Sequence, residues 1–203
     1  MLRNVCVRAS CRVPFLQFCD FPDAGKTGEL LGDDEVRIIG IDGSVVENRH
    51  HPREAFQGFR RKLWWDDLDF IYFGGYAIWN YLMTPFLFMR SGFSLEYLGQ
   101  RRIGNEKLAC LRATFPRDIP THCRIQMYYF SQDMLLRRLD YTAEVVGRWA
   151  HAAHFCSEYR DFSGLKIPVR RRVRPHLFGR VLSIPTLVAI DIHDVRIRPD
   201  SPI

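Results

Sequence analysis

Phe70 to Met89 reads FIYFGGYAIWNYLMTPFLFM, twenty residues without a charge. A run of that length can cross a bilayer. Gly74-Gly75, Asn80 and the Thr84-Pro85 break argue against it, and the mean hydropathy of the chain is −0.17. The run instead predicts a helix over 66–83 inside a folded domain. Asp66 or Asp67 caps its start, where a carboxylate also favours the helix dipole. Leu68, Ile71, Tyr72, Gly75, Trp79 and Leu82 make one face at helical spacing, and Phe70, Phe73, Ala77 and Tyr81 cover the opposite side. A helix apolar all round has to be buried on most sides. Pro85 ends or kinks it near Met83, because the residue before proline avoids the helical region.

After Gly92 the period switches from helical to two. Strands are expected over 93–100, 107–115, 122–130, 135–146, 152–162, 167–174 and 186–197, with short turns between them. Consecutive strands with short turns make an antiparallel meander. No Gly-rich strand-to-helix unit alternates with them, which excludes a doubly wound sheet. Earlier, Val36 to Ile41 is a strand and Ser44 to Glu47 its hairpin partner, with Arg49 to Lys62 a connecting loop. Residues 1–33 show no sustained period and are broken by Pro14, Pro22, Gly25, Gly28 and Gly32. The expected class is α+β: an antiparallel meander curled as an open half-barrel around one buried apolar helix. Residues 1–33 would be an irregular extension and 34–203 a single domain.

The chain has 203 residues and a formal charge of +6. The basic excess is concentrated between Gly99 and Arg180, and no nucleic-acid motif accompanies it. Arg170-Arg171-Arg172 and Arg174 look like a basic patch, but alternation splits them. Arg171 lies with Val169 and Val173, and the other three point away. An inward arginine needs a carboxylate or an anionic ligand, and Glu158 and Asp191 are the candidate carboxylates. The six cysteines contain no C-x-x-C pair, which excludes thioredoxin-type and zinc-ribbon sites. Free thiols and the lack of an apolar signal segment lead to the expectation of a cytoplasmic protein without a stable membrane span.

The stretches WDDLDFIYFGGYAIWNYLMTPFL, IPTHCRIQMYYF, LLRRLDYTAEVV, AAHFCSEYRDFSGLKIPVRRRV and PTLVAIDIHDV together resemble a family of uncharacterised bacterial and fungal proteins. The resemblance runs from about Trp65 to Val195, and W-N-Y-L-x-T-P-F is its most specific part. The order of strand, helix and meander is also similar to lipoprotein carriers of the LolA type. That likeness concerns architecture, which does not carry function.

AGKTG around Lys26 imitates a phosphate loop, but the glycine required upstream is Asp20. The seven histidines contain no H-E-x-x-H or H-x-H pair, so no metal is expected. No G-x-S-x-G elbow is present. The remaining candidates are polar residues of the strands and helix. His122, Asp140, Tyr141 and His154 offer acid, base and hydroxyl groups. Tyr76, Trp79, Asn80, Gln126, Tyr128 and Arg171 would line a cavity between helix and sheet. The function expected is binding of a hydrophobic or lipid-like small molecule in that aromatic-lined cavity. The alternative is a cofactor-free cyclase or isomerase of secondary metabolism, with groups shifted towards neutrality by burial.

Overall fold

Burial alternates along Phe15–Cys19, with Leu16 and Phe18 buried on one side of the strand. That short strand belongs to a sheet of which the sequence predicts only the last hairpin, Val36–Ile41 with Ser44–Glu47. The computed structural model describes residues 5–58 and 64–198. The chain divides into two compact units: 1–93 with 115–124 and 144–146, and 94–114 with 125–143 and 147–203.

The first unit holds a five-stranded antiparallel sheet: β1 (Val7–Ala9), β2 (Phe15–Cys19), β3 (Thr27–Leu31), β4 (Glu35–Ile39) and β5 (Val45–His50). The expected irregular extension is thus three strands, and no domain edge falls at 33/34, because β3 and β4 are hairpin partners across it. The prolines and glycines that broke the period mostly mark the turns. Gly25 and Gly32 have φ of +79° and +65°, which suits residues without a Cβ. The AGKTG string ends the β2–β3 turn and opens β3: Asp20 accepts the Gly25 N–H, and Lys26 pairs with Asp23.

Helix α1 (Asp67–Met83) packs on β2, β3 and β4. The helix expected to be wrapped by the later meander therefore covers its apolar surface with Leu16, Phe18, Leu30, Val36 and Ile38 of the earlier sheet. Two glycines permit the approach. A Cβ on Gly28 would lie 2.7 Å from Ile71 Cδ1, and one on Gly75 would lie 3.0 Å from Leu30 Cβ. Asp66 and Asp69 form a capping box, each side chain accepting the other's backbone N–H. Arg49 of β5 clamps both carboxylates at 2.7 Å. Arg49 thus lies in a strand, not in the connecting loop expected over 49–62. In the rest of that stretch Pro52–Gln57 is a 3-10 turn, and 59–63 lie outside the described residues.

The second unit is the meander: β6 (Ser94–Ile103), β7 (Glu106–Thr114), β8 (Ile125–Phe130), β9 (Leu136–Thr142), β10 (His151–Phe162) and β11 (Leu165–Leu177), each antiparallel to the next. Short β12 (Arg180–Val181) and β13 (Val188–Asp191) both pair with β11. Strand β8 starts at Ile125 rather than 122, because His122 and Cys123 belong to a loop of the first unit. Strand β11 runs past Pro175, beyond the end expected at 174, and carries His176. Among the described residues no helix is long and apolar enough to cross a membrane.

Candidate functional site

In the first unit the loop 115–124 is pulled together by Arg124, which donates to the carbonyls of Pro116, Ile119 and Arg117 at 2.5, 2.9 and 3.0 Å. This sets His122 against α1. Its Nδ1 lies 3.2 Å from the Tyr76 hydroxyl and its Nε2 2.8 Å from that of Tyr81. A neutral imidazole has one donor and one acceptor nitrogen, so the two hydroxyls take complementary roles. Burial, reinforced by the Arg53 guanidinium, pushes the His122 pKa down to about 3. The ring is neutral at ordinary pH and a poor general base. The Tyr76 phenol is pushed well up by its own burial.

Helix residue Asn80 donates to Tyr76 O at 2.7 Å and to Pro120 O at 2.8 Å, tying the same loop to the helix. Its Oδ1 has no hydrogen-bond partner among the described residues. Trp79 donates to Ser10 O at 2.8 Å and so holds the β1–β2 hairpin. Arg53 reaches the Tyr72 hydroxyl, Thr121 O and Glu144, and Tyr72 donates to Asp33. Tyr76, Trp79, Asn80 and His122, expected in a ligand cavity, are thus occupied in joining helix, loop and hairpin.

In the second unit, register sorts the remaining candidates by face. Tyr128, Leu139, His154 and Val173 are successive partners across β8 to β11. Gln126, Tyr141, Cys156 and Arg171 share their side by alternation. Gln126, Tyr128, Tyr141, His154 and Arg171 are all buried. Tyr128 donates to Gln126 at 3.1 Å, and Arg171 donates to Cys156 Sγ at 3.3 Å. The inward direction expected of Arg171 is what the structure has. Its proposed carboxylates are used elsewhere, Glu158 by Arg170 and Asp191 by Arg172 and Arg170 on the opposite face.

Asp140 lies on that opposite face, with Met127, Ala153 and Arg174 in its row. It is therefore separated by the sheet from the side chains of Tyr141 and His154, with which sequence reading grouped it. Arg138 grips it through two bonds, of 2.6 and 2.8 Å. That guanidinium also lies 5.5 Å from the rings of Tyr129 and Phe155, and Arg174 stacks on Phe155 at 5.6 Å. Burial and the Asp140 charge hold the Tyr129 phenol far above its usual range.

This face carries an open groove of about 410 Å³. Ile125, Met127, Asp140, His151, His176 and Phe178 line it, together with Tyr141, Thr142 and Gly179. His176 Nδ1 is 3.7 Å from Asp140 Oδ2, and His151 Nδ1 is 2.8 Å from Thr142 Oγ1. Ile125 is 57% exposed and Phe178 fully so. The two groove histidines were missed as site residues. His151 was legible from its place opposite Thr142 once β9 and β10 are paired, whereas His176 was hidden by ending the strand before Pro175. Among the described residues no three His, Cys, Asp or Glu side chains gather as a metal site would require.

No protein-family model and no curated protein matches the chain. Its structure is similar to that of a LolA superfamily protein from Nitrosomonas europaea, with a TM-score of 0.52, 14% identity, and coverage of 96% of this chain and 78% of that one. That likeness shows a LolA-like fold, mostly antiparallel sheet with few helices. A DUF1329 family protein from Desulfovibrio piger aligns at TM-score 0.45 and 14% identity over 79% of this chain. An outer membrane lipoprotein-sorting protein domain from Vibrio parahaemolyticus aligns at 0.44 and 10% over 80%. The chain spans 64% and 63% of the lengths of those two proteins.

Proposed function

We propose that the protein binds a hydrophobic or lipid-like small molecule, and that its seat is the groove on the second unit's sheet. The observation that carries this reading is the open groove itself, where exposed Ile125 and Phe178 flank buried, hydrogen-bonded Asp140 beside His151 and His176. Uncovered apolar side chains next to a few fixed polar groups suit an amphiphile with a chain and a polar head. Its volume of about 410 Å³ falls in the range of about 300–1,000 Å³ typical of small-molecule sites. The LolA-like fold is consistent with such a ligand. An acid–base enzyme is less well served. His122 is neutral and held between two tyrosines, and Asp140 faces away from Tyr141 and His154.

The test is titration of the full chain with a fluorescent long-chain fatty acid analogue. Saturable binding is expected, weakened tenfold or more in a Phe178→Asp, Ile125→Asp double variant whose melting temperature stays within about 2 °C of the parent. Both side chains are exposed, and surface changes usually cost within about 0.5 kcal/mol. Non-saturable binding, or equal affinity in the variant, overturns the assignment.

A further inference from the structure

Strands β1 and β2 pair as Val7 with Phe18, Arg8 with Gln17 and Ala9 with Leu16. One step outward the same register sets Cys6 opposite Cys19, and the Cys19 N–H donates to Cys6 O at 3.0 Å. Hydrogen-bonded antiparallel partners stand about 5.5 Å apart at Cα. A disulfide needs a Cα separation of about 4.4–6.8 Å. Directly opposed residues project their side chains on the same face. Here it is the face of Gln17, away from Leu16 and Phe18, which pack towards α1. Burial first, and the neighbouring Cys6 thiol second, raise the Cys19 thiol pKa above its ordinary range. Cys6 is exposed and Cys19 half-buried.

We propose that Cys6 and Cys19 form a thiol–disulfide exchange site that takes low-molecular-weight disulfides of the glutathione class. Exposed Cys6 is the entry point. Its thiolate attacks one sulfur of the small disulfide, forming a mixed disulfide and expelling one small thiolate. Cys19 then loses its proton to solvent and attacks the Cys6 sulfur, forming the Cys6–Cys19 bond and expelling the second small thiolate. Two protein thiols are oxidised and one small disulfide is reduced to two thiols. An exposed bridge of this kind is readily reduced again. When formed it fastens edge strand β1 to β2, in the hairpin whose Ser10 carbonyl accepts from Trp79 of the helix. Closing the loop between the two cysteines restricts the unfolded chain, so the oxidised form should melt higher.

The experiment uses the full-length protein incubated with oxidised glutathione, alkylated, digested and mapped by mass spectrometry. Expected are a Cys6–Cys19 cross-linked peptide, loss of the mass of two hydrogens from the intact chain, and a melting temperature several degrees higher. Dithiothreitol should reverse all three. In Cys19→Ser, Cys6 should stop at the glutathione adduct, with no cross-link. A wild-type chain that retains glutathione on Cys6, bridges Cys6 to Cys11, or stays fully reduced overturns the proposal. Each of these is read on the unmutated protein and does not depend on the variant folding.

Discussion

The two units handle buried polar groups in opposite ways. In the first, a helix and a loop from distant parts of the chain meet, and most of their buried polar side chains are matched in pairs. Asp66 and Asp69 meet Arg49, His122 meets two tyrosines, and Asn80 meets Pro120. In the second, a single sheet separates its polar residues by alternation. Gln126, Tyr128, His154 and Arg171 lie on one side, and Arg138, Asp140, His151 and His176 on the other. Convergence of remote elements brings more chemistry to one point, but here every group it gathers is engaged in holding the fold. Alternation gathers fewer groups, yet leaves one set bordering an open groove. A rich buried constellation is thus a weaker sign of a binding site than a sparse one that a ligand can reach.

If the first unit is locked by its polar pairs, breaking one should cost stability and leave groove binding untouched per folded molecule. The largest effect is expected for Arg49→Ala, which takes the guanidinium away from the fully buried Asp69 carboxylate. Removing one partner of a buried pair costs about 3–5 kcal/mol. Urea unfolding of variant and parent measures it, and a loss below about 1 kcal/mol would show that the cap does not need its arginine.

A smaller effect distinguishes how the two units use glycine. Gly28→Ala drives a methyl into Ile71, and overpacking of this kind costs about 1–3 kcal/mol. Gly104→Ala in the β6–β7 turn meets nothing within 4 Å, and its cost of about 1–2 kcal/mol comes from φ of +60° alone. A Gly104→Asn change should recover part of that loss, because Asn tolerates this conformation, whereas Gly28→Asn should be worse than Gly28→Ala. Equal behaviour at the two positions would mean that Ile71 moves aside freely.

The most graded effect is with pH. His122 titrates at about 3 in the folded chain and at about 6.5 when unfolded. Between those values the unfolded state binds the extra proton. Stability from this residue is therefore complete above about pH 6.5 and falls as the pH drops towards 3, by at most about 1.4 kcal/mol per pH unit. His122→Gln keeps a donor and an acceptor for the tyrosines but cannot titrate. Its stability should change less between pH 7 and pH 5 than the parent's, and an unchanged slope would place the acid sensitivity elsewhere.

The residues themselves determined the local pattern. Capping carboxylates, all-round apolar character and Pro85 set the helix over 66–83, against an observed Asp66 cap and helix Asp67–Met83. Alternation marked the meander and turned Arg171 inward, because side-chain direction along a strand follows from backbone geometry. The sheet over 7–50 was hard to see because its first three strands are only three to five residues long, and Gly28 interrupts the alternation to admit Ile71. Only the tertiary structure decided which sheet covers α1, that His122 faces two helix tyrosines, and that Asp140 shares a groove with His151 and His176. Periodicity is a property of neighbours along the chain, whereas these three outcomes depend on strand register and loop closure between residues in different elements, where a shift by one residue exchanges the faces.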